Sequence, residues 1–283
     1  MFYRRSSLYS ERATPESDES SLKVIVCVKQ VPEITEVRID PVTHTLVREG
    51  VPSILNPFDE FAVEEALRIR EKHGGEVTVV TMGPPQAREA LIKCLAMGAD
   101  KAVLLTDRAF AGADTWATAY ALCLLIKQLQ FDVILCGKQA IDGDTAQVGP
   151  MLAENLGIPQ ITFIKKVEID AKTRKVVAER ETEDGHEVIE CRLPVLLTAI
   201  KGLNEPRLPS LMGMMGARKK EIKTATAADL GVDPAMVGLK GSYTQVIEVF
   251  APEPRKKGIM LTETDPEKAA ERMLEFLQSR VLA

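Results

Sequence analysis

From Glu76 to Leu156 the chain alternates short apolar runs with segments whose apolar residues recur at helical spacing, and this alternation limits the fold more than any other feature. A run over 77–82 ends in Gly83-Pro84-Pro85 and is followed by a helix over 86–97. A run over 101–105 leads through Gly112 to a helix from Asp114 to Gln130, and a third run, 132–136, ends in a polar loop. An earlier run, 24–28, has the same buried character. Repeated βα units of this length predict an α/β fold, a mainly parallel sheet flanked by helices. Ligands of such sheets gather at the carboxyl ends of the strands, here Cys27, Met82-Gly83 and Gly137.

The loop over 136–150 carries the first chemical signal. Beyond it the segment from Thr145 to Leu156 has Val148, Met151, Leu152 and Leu156 at helical spacing. A strand, a tight loop and a helix start leave unpaired backbone N–H groups where the helix dipole favours an anion. Gly137, Gly143 and Gly149 fit neither the dinucleotide fingerprint nor a Walker loop. Asp142 and Asp144 would repel a bare phosphate and suit ribose hydroxyls or helix caps, with Lys138 and the amides after Thr145 facing a diphosphate. Spacing alone leaves a nucleotide site and a plain capped turn both open.

The sequence has 283 residues, enough for one large or two modest domains, and 45% hydrophobic residues supply a sizeable core. A net charge of −5 argues against a nucleic-acid binder. Five cysteines, widely spaced and with no Cys-x-x-Cys pair, alongside three histidines, suit buried thiols in a reducing compartment rather than disulfides or zinc. No apolar run reaches the length of a membrane span, and no presequence is evident, which favours the cytoplasm.

Residues 1–21 are polar and serine-rich and read as a disordered tail. The stretch 37–48 reads as a β-hairpin. Asn56-Pro-Phe-Asp59 opens a helix to about His73, with Asn56 as N-cap, Pro57 in the first turn and Asp59 at the third position. After Pro159 the texture changes to extended segments, 160–169, 174–181 and 187–200, which read as antiparallel strands added to the sheet, with Asp184-Gly185 as a turn. Trp116, Met97 and Met151 fall in core patterns. The Met-rich stretch over 211–216 suits a core helix or an adaptable docking surface, and composition favours the core. Residues 225–283 read as an arm with a strand-like run over 245–250. A final helix follows, with Asp265 as N-cap, and its stripe of Ala270, Met273, Leu274, Leu277 and Val281 needs a partner surface.

Several ordered motifs together resemble the β-subunit of electron-transfer flavoproteins from Leu22 to the C-terminus. They are Cys27-Val-Lys29, Asn56-Pro-Phe58, Ala96-Met-Gly-Ala-Asp100 and Gly137-Lys-Gln-Ala-Ile-Asp142. To these are added Arg180, Glu183-Asp184-Gly185, Glu187, Ile189, the run from Leu193 to Thr198, and Leu203-Asn-Glu-Pro-Arg207. The resemblance implies an adenine-nucleotide α-hydrolase-like core over 22–224 with antiparallel strand additions. It also implies an α-subunit that carries the electron-transferring FAD and receives the arm and last helix. Ordinary members hold AMP in the β-subunit and carry electrons from acyl-CoA dehydrogenases, whereas in the electron-bifurcating branch the cleft holds a second FAD that takes hydride from NADH and serves ferredoxin or flavodoxin as well. The stretch Gly143-Asp-Thr-Ala-Gln-Val-Gly-Pro150 is similar to the bifurcating type, and we read the cofactor as FAD with AMP as the alternative.

By the same resemblance, the nucleotide contacts are Cys27, Asn56, Pro57, Phe58, Asp59, Met82, Gly137, Lys138, Gln139, Ala140, Ile141, Asp142, Gly143, Asp144, Thr145, Ala146, Gln147 and Val148. No nucleophile or acid–base pair is assembled; the work is to hold a flavin and set its surroundings. The stretch 203–220 looks like a recognition loop, with Pro206, Arg207 and Met212 beside Leu211, which would insert into a pocket of a partner dehydrogenase. Some relatives carry a Pro and a Lys where this chain has Met212-Gly-Met-Met-Gly216, so the resemblance does not fix the partner. A reading of another class, an ATP-binding stress or sensor protein on a similar core, lacks the antiparallel addition and the recognition loop.

Overall fold

The computed structural model describes residues 21–33, 52–248, 258, 260 and 262–281. Residues 1–20 of the tail expected over 1–21, and the hairpin expected over 37–48, lie outside them. The chain divides into two units, 1–36 with 47–247, and 37–46 with 248–283.

In the first unit the buried run opens as β1 (Leu22–Cys27), then β2 (Gln30–Pro32) and β3 (Ser53–Leu55) form a two-stranded antiparallel ribbon. The chain continues through α1 (Pro57–His73), β4 (Gly75–Met82), α2 (Arg88–Met97), β5 (Lys101–Leu105), α3 (Thr115–Ile126), β6 (Val133–Gly137) and α4 (Val148–Leu156). Next come β7 (Gln160–Asp170), β8 (Lys175–Thr182), β9 (Gly185–Arg192) and β10 (Val195–Ala199), then α5 (Leu211–Ala217), β11 (Ile222–Ala225), α6 (Ala227–Leu230) and α7 (Gly238–Gly241). The large sheet has nine strands in the order β11-β5-β4-β1-β6-β10-β7-β8-β9. From β11 to β7 every pairing is parallel, and β8 and β9 extend the sheet antiparallel.

Alternation along β1 sorts the core into two layers. Val24 and Val26 face a cluster with Ala62, Ala66 and Leu67 of α1 and Leu91 and Leu95 of α2. Ile25 and Cys27 face the opposite cluster with Leu122 and Ile126 of α3 and Leu152 of α4. Continuous apolar runs are required here because both faces of a parallel sheet are covered.

Two differences from the sequence reading have a physical cause. The run 187–200 is two strands, since Pro194 has no N–H to donate and interrupts the ladder. Residues Val195–Ala199 are buried on both sides and enter the parallel sheet between β6 and β7, while β9 alternates and forms an exposed edge. The second is β11, which pairs with β5 at the opposite edge; four residues with two exposed are too short to signal a strand. The described part of the strand-like run, 245–248, forms no strand. Trp116 is half-buried, stacked on Tyr120 at 5.6 Å with Tyr243 edge-on at 5.2 Å, rather than in either core cluster.

In the second unit α8 (Pro266–Val281) is capped as expected, the Glu267 N–H donating to Asp265 at 3.0 Å. Met273, Leu274 and Leu277 are exposed along it. No helix among the described residues is long and apolar enough to cross a membrane.

Ile134 sits fully buried on β6 in the middle of the sheet, whereas Val188 is exposed on the edge strand. Ile134→Ala is expected to lower the unfolding free energy by about 2–5 kcal/mol, and Val188→Ala by less than about 0.5 kcal/mol. Urea titration of both variants checks this, and equal losses would contradict the assigned layers.

Candidate functional site

The strand order reverses between β1 and β6: the chain runs from β1 outward through β4 to β5, then returns to place β6 on the other side of β1. Adjacent loops at such a reversal leave in opposite directions and open a crevice beyond the strand tips. Lys29 follows β1 there, and residues 138–147 follow β6.

The N-terminus of α1 closes one side of this crevice. Asn56 precedes the helix as expected, yet its side chain makes no capping bond. Instead Nδ2 donates to the Gln139 carbonyl at 2.8 Å, and Oδ1 accepts from the Ile141 N–H at 3.2 Å. Both ends of the amide are thus spent on the loop, and Asn56 is 1% exposed. Asp59 is placed in the same way. Its carboxylate accepts from the Lys29 N–H at 2.7 Å and the Gly137 N–H at 3.1 Å, tying the tips of β1 and β6 to the helix. Burial pushes its pKa up to about 7 against the lowering effect of these bonds. Gly137 is required by this approach, because a Cβ there would stand 2.7 Å from the Phe58 carbonyl carbon.

The loop itself is held from three directions. Asp142 pairs with Lys29 Nζ at 2.7 and 2.8 Å, and Asp144 accepts from the Gln139 side chain. The two carboxylates that stood against a phosphate are therefore engaged, the first with a cation. Thr115, at the start of α3, meets the Gln147 side chain at 2.9 Å. Lys138 extends the ladder through its N–H to the Ala199 carbonyl and lays its ammonium 5.0 Å from the Phe163 ring centre.

The helix begins at Val148, three residues later than the periodicity suggests. Asp144 and Ala146 have φ of 52° and 54°, in the left-handed region that side chains other than Asn and Asp seldom adopt. Gln147 returns to the right-handed region, and no side chain caps α4. Among the described residues, the N–H groups of Thr145, Ala146, Gln147 and Val148 have no acceptor. Left-handed and right-handed residues in succession turn their N–H groups toward one point, a concavity that takes anions.

The remaining expected contacts lie around the crevice at different depths. Cys27 and Cys136 are register partners on β1 and β6, both buried and free. The neighbouring Cys27 thiol and burial hold the Cys136 thiol well above its usual range. Pro57, Phe58, Met82, Ala140 and Ile141 are half-buried; Gly143 is exposed with open space around it. Lys29 and Thr115 were not among the expected contacts. Lys29 lies two residues beyond the β1 tip, at the strand reversal, and that position was the available signal.

On the far side of α1, Pro206, Arg207, Leu211 and Met212 belong to a separate group. Leu211 and Met212 are 71% and 85% exposed on α5 rather than in the core that composition favoured. The Arg207 guanidinium faces Glu64 and Glu71 of α1.

Asp59 gives a pH signature. Because its folded pKa is raised from 3.8 to about 7, the stability it contributes is full below 3.8 and lost as pH rises through about 7. Wild type is expected to lose stability over that interval relative to Asp59→Asn, and parallel pH profiles from denaturant titration would contradict it. Gly137→Ala is expected to force α1 away from β6 and free the loop, seen as faster amide exchange over residues 138–147; unchanged exchange would contradict the close approach.

The electron transfer flavoprotein domain model matches residues 43–230. An electron transfer flavoprotein subunit beta from Thermoanaerobacterium thermosaccharolyticum is 57% identical over 260 residues, 92% of this chain and 99% of that one. The caffeyl-CoA reductase-Etf complex subunit CarD of Acetobacterium woodii is 49% identical over 261 residues, again 92% and 99% of the two chains. Protein FixA of Azotobacter vinelandii is 48% identical over 262 residues, 89% of this chain and 93% of its own. With the domain match spanning more than half of its length and relatives of this identity along nearly all of it, the chain belongs to the electron transfer flavoprotein family, on the β-subunit side.

Proposed function

We propose that this chain is the β-subunit of an electron-bifurcating electron-transfer flavoprotein, acting in the cytoplasm as a heterodimer with an α-subunit, and that its crevice holds FAD. The observation that carries the reading is the run of uncapped amides from Thr145 to Val148 at the β1/β6 reversal. Donors fixed by a helix start and a left-handed backbone need no reorganisation to meet a diphosphate. Asn56 spends both amide atoms on the loop, which leaves Asp142 to accept from a ribose hydroxyl. The Lys29 ammonium offsets the Asp142 charge beside the anion site. The strand tips at buried Cys27 and half-buried Met82 supply the slot for the adenine ring.

Bound there, FAD supplies hydride acceptance from NADH and delivery of electrons singly, to the α-subunit FAD with its partner dehydrogenase and to a ferredoxin or flavodoxin. The part of this chain is to grip the nucleotide, shield it from water and fix its distance from the next centre. Support for FAD over AMP comes from the loop Gly143 to Pro150, similar to the bifurcating type, and from the kinship with a subunit named for a caffeyl-CoA reductase complex. Within the stretch 225–283, the part from 248 onward serves as the arm, with the α8 stripe of Met273, Leu274 and Leu277 for the α-subunit. The exposed Leu211 and Met212 serve a partner dehydrogenase with an apolar pocket.

The test is to denature the purified heterodimer and identify the released nucleotides by chromatography. Two FAD for each heterodimer is the expected result. One FAD with one AMP would contradict the bifurcating reading and leave an ordinary carrier.

A further inference from the structure

After Gly202 the chain crosses the outer side of α1 and is tied down before it reaches the exposed loop. Asn204 Nδ2 donates to the Phe61 carbonyl at 3.0 Å and to Glu65 at 2.9 Å, and Arg68 Nη2 donates to the Glu205 carbonyl at 3.4 Å. Arg207 makes the densest set of contacts. Its backbone N–H and Nε donate to Glu64 Oε2 at 3.1 and 2.8 Å, and its Nη2 donates to Glu64 Oε1 at 3.1 Å. The same Nη2 donates to Glu71 Oε2 at 3.1 Å, and Nη1 reaches the other Glu71 oxygen.

Glu64 is 3% exposed, so its charge depends on these partners and on Arg68 Nε at 2.8 Å. Burial pushes the Glu64 carboxyl up, but the bonds from Arg207 and Arg68 outweigh it and leave it lowered. Beyond Arg207, Ser210 caps α5 by accepting from the Gly213 N–H at 3.0 Å. α5 also lies so near α2 that a Cβ at Gly213 would stand 2.5 Å from the Ala96 carbonyl oxygen. Between these two anchors Leu208, Leu211 and Met212 are exposed, Leu208 at 91%.

We propose that Arg207 is a positioning residue for partner docking: its fork across Glu64 and Glu71 fixes the foot of the loop on α1 and holds Leu208, Leu211 and Met212 outward as a preformed apolar contact. The inference rests on the docking reading above. A loop ordered in advance spares the ordering entropy that binding would otherwise cost. The planar fork matters, because a lysine ammonium cannot grip two carboxylates bidentately.

The test uses the assembled heterodimer as wild type, Arg207→Gln, Arg207→Lys and Leu211→Ala. Amide exchange is read over residues 204–217, and saturation kinetics are read with an acyl-CoA dehydrogenase as the electron partner. Both Arg207 variants are expected to exchange at least about tenfold faster there. Their half-saturating partner concentration should rise about fivefold or more, a larger change than any fall in the saturated rate. Leu211→Ala should raise the half-saturating concentration with exchange unchanged. Unchanged exchange in Arg207→Gln overturns the clamp. Faster exchange with an unaltered half-saturating concentration, while Leu211→Ala is impaired, overturns its role in docking. Normal kinetics in Leu211→Ala instead sinks the docking reading and leaves the clamp to be judged by exchange. If Arg207→Gln does not assemble, Glu71→Gln breaks only the exposed half of the fork and is held to the same outcomes.

Discussion

The carboxylate of Asp59, accepting from backbone N–H groups at the tips of β1 and β6, is the contact from which the rest of the crevice follows. It brings the start of α1 against the sheet at the place where strand order reverses. Gly137 permits the approach, since any side chain there would collide with the helix backbone. Once the helix is in place, Asn56 lies within reach of the loop after β6 and binds it at Gln139 and Ile141. A buried carboxyl with a pKa near 7 is costly to keep ionised, and a neutral apolar residue would pack there more readily. Two strand tips would then lack an acceptor, and an unpaired buried N–H carries its own desolvation cost.

α1 thereby links two parts of the surface with different character. Its first turn organises the polar loop over 138–147, and its middle and last turns hold the segment around Arg207 through Glu64, Glu65, Arg68 and Glu71. The carboxylates on this helix are spent on internal structure at both ends, unlike the usual solvated face of an acidic helix. The strained loop and the exposed apolar loop are thus both tied to the same helix.

Much of the fold was legible because its strands are buried on both faces and write themselves as continuous apolar runs, as in β1, β4 and β6. What escaped was short or ambiguous in its bounds: β11 has four residues, and β10 followed the extended segment of β9 with only Pro194 to separate them. The loop after β6 could be located from the strand tip and the helix start. The roles of Asn56 and Asp59 could not, because both carry the local signature of a helix cap while their partners lie 30 to 85 residues away in the chain, a pairing visible only in three dimensions. Lys29 was hidden for the same reason, its charge opposed by Asp142 on a different loop. Methionine and leucine in the 211–216 stretch look alike whether they fill a core or meet a partner, so exposure there had to be observed.

The proposed role of the crevice requires that the amides from Thr145 to Val148 grip the diphosphate of an adenine dinucleotide. Through-hydrogen-bond NMR couplings between amide nitrogen and phosphate phosphorus, recorded on an isotope-labelled chain in its native heterodimer, address it directly. Couplings from at least two of those four amides to two distinct phosphorus atoms are the expected result. Couplings confined to amides elsewhere, with those four exchanging freely into solvent, would contradict it.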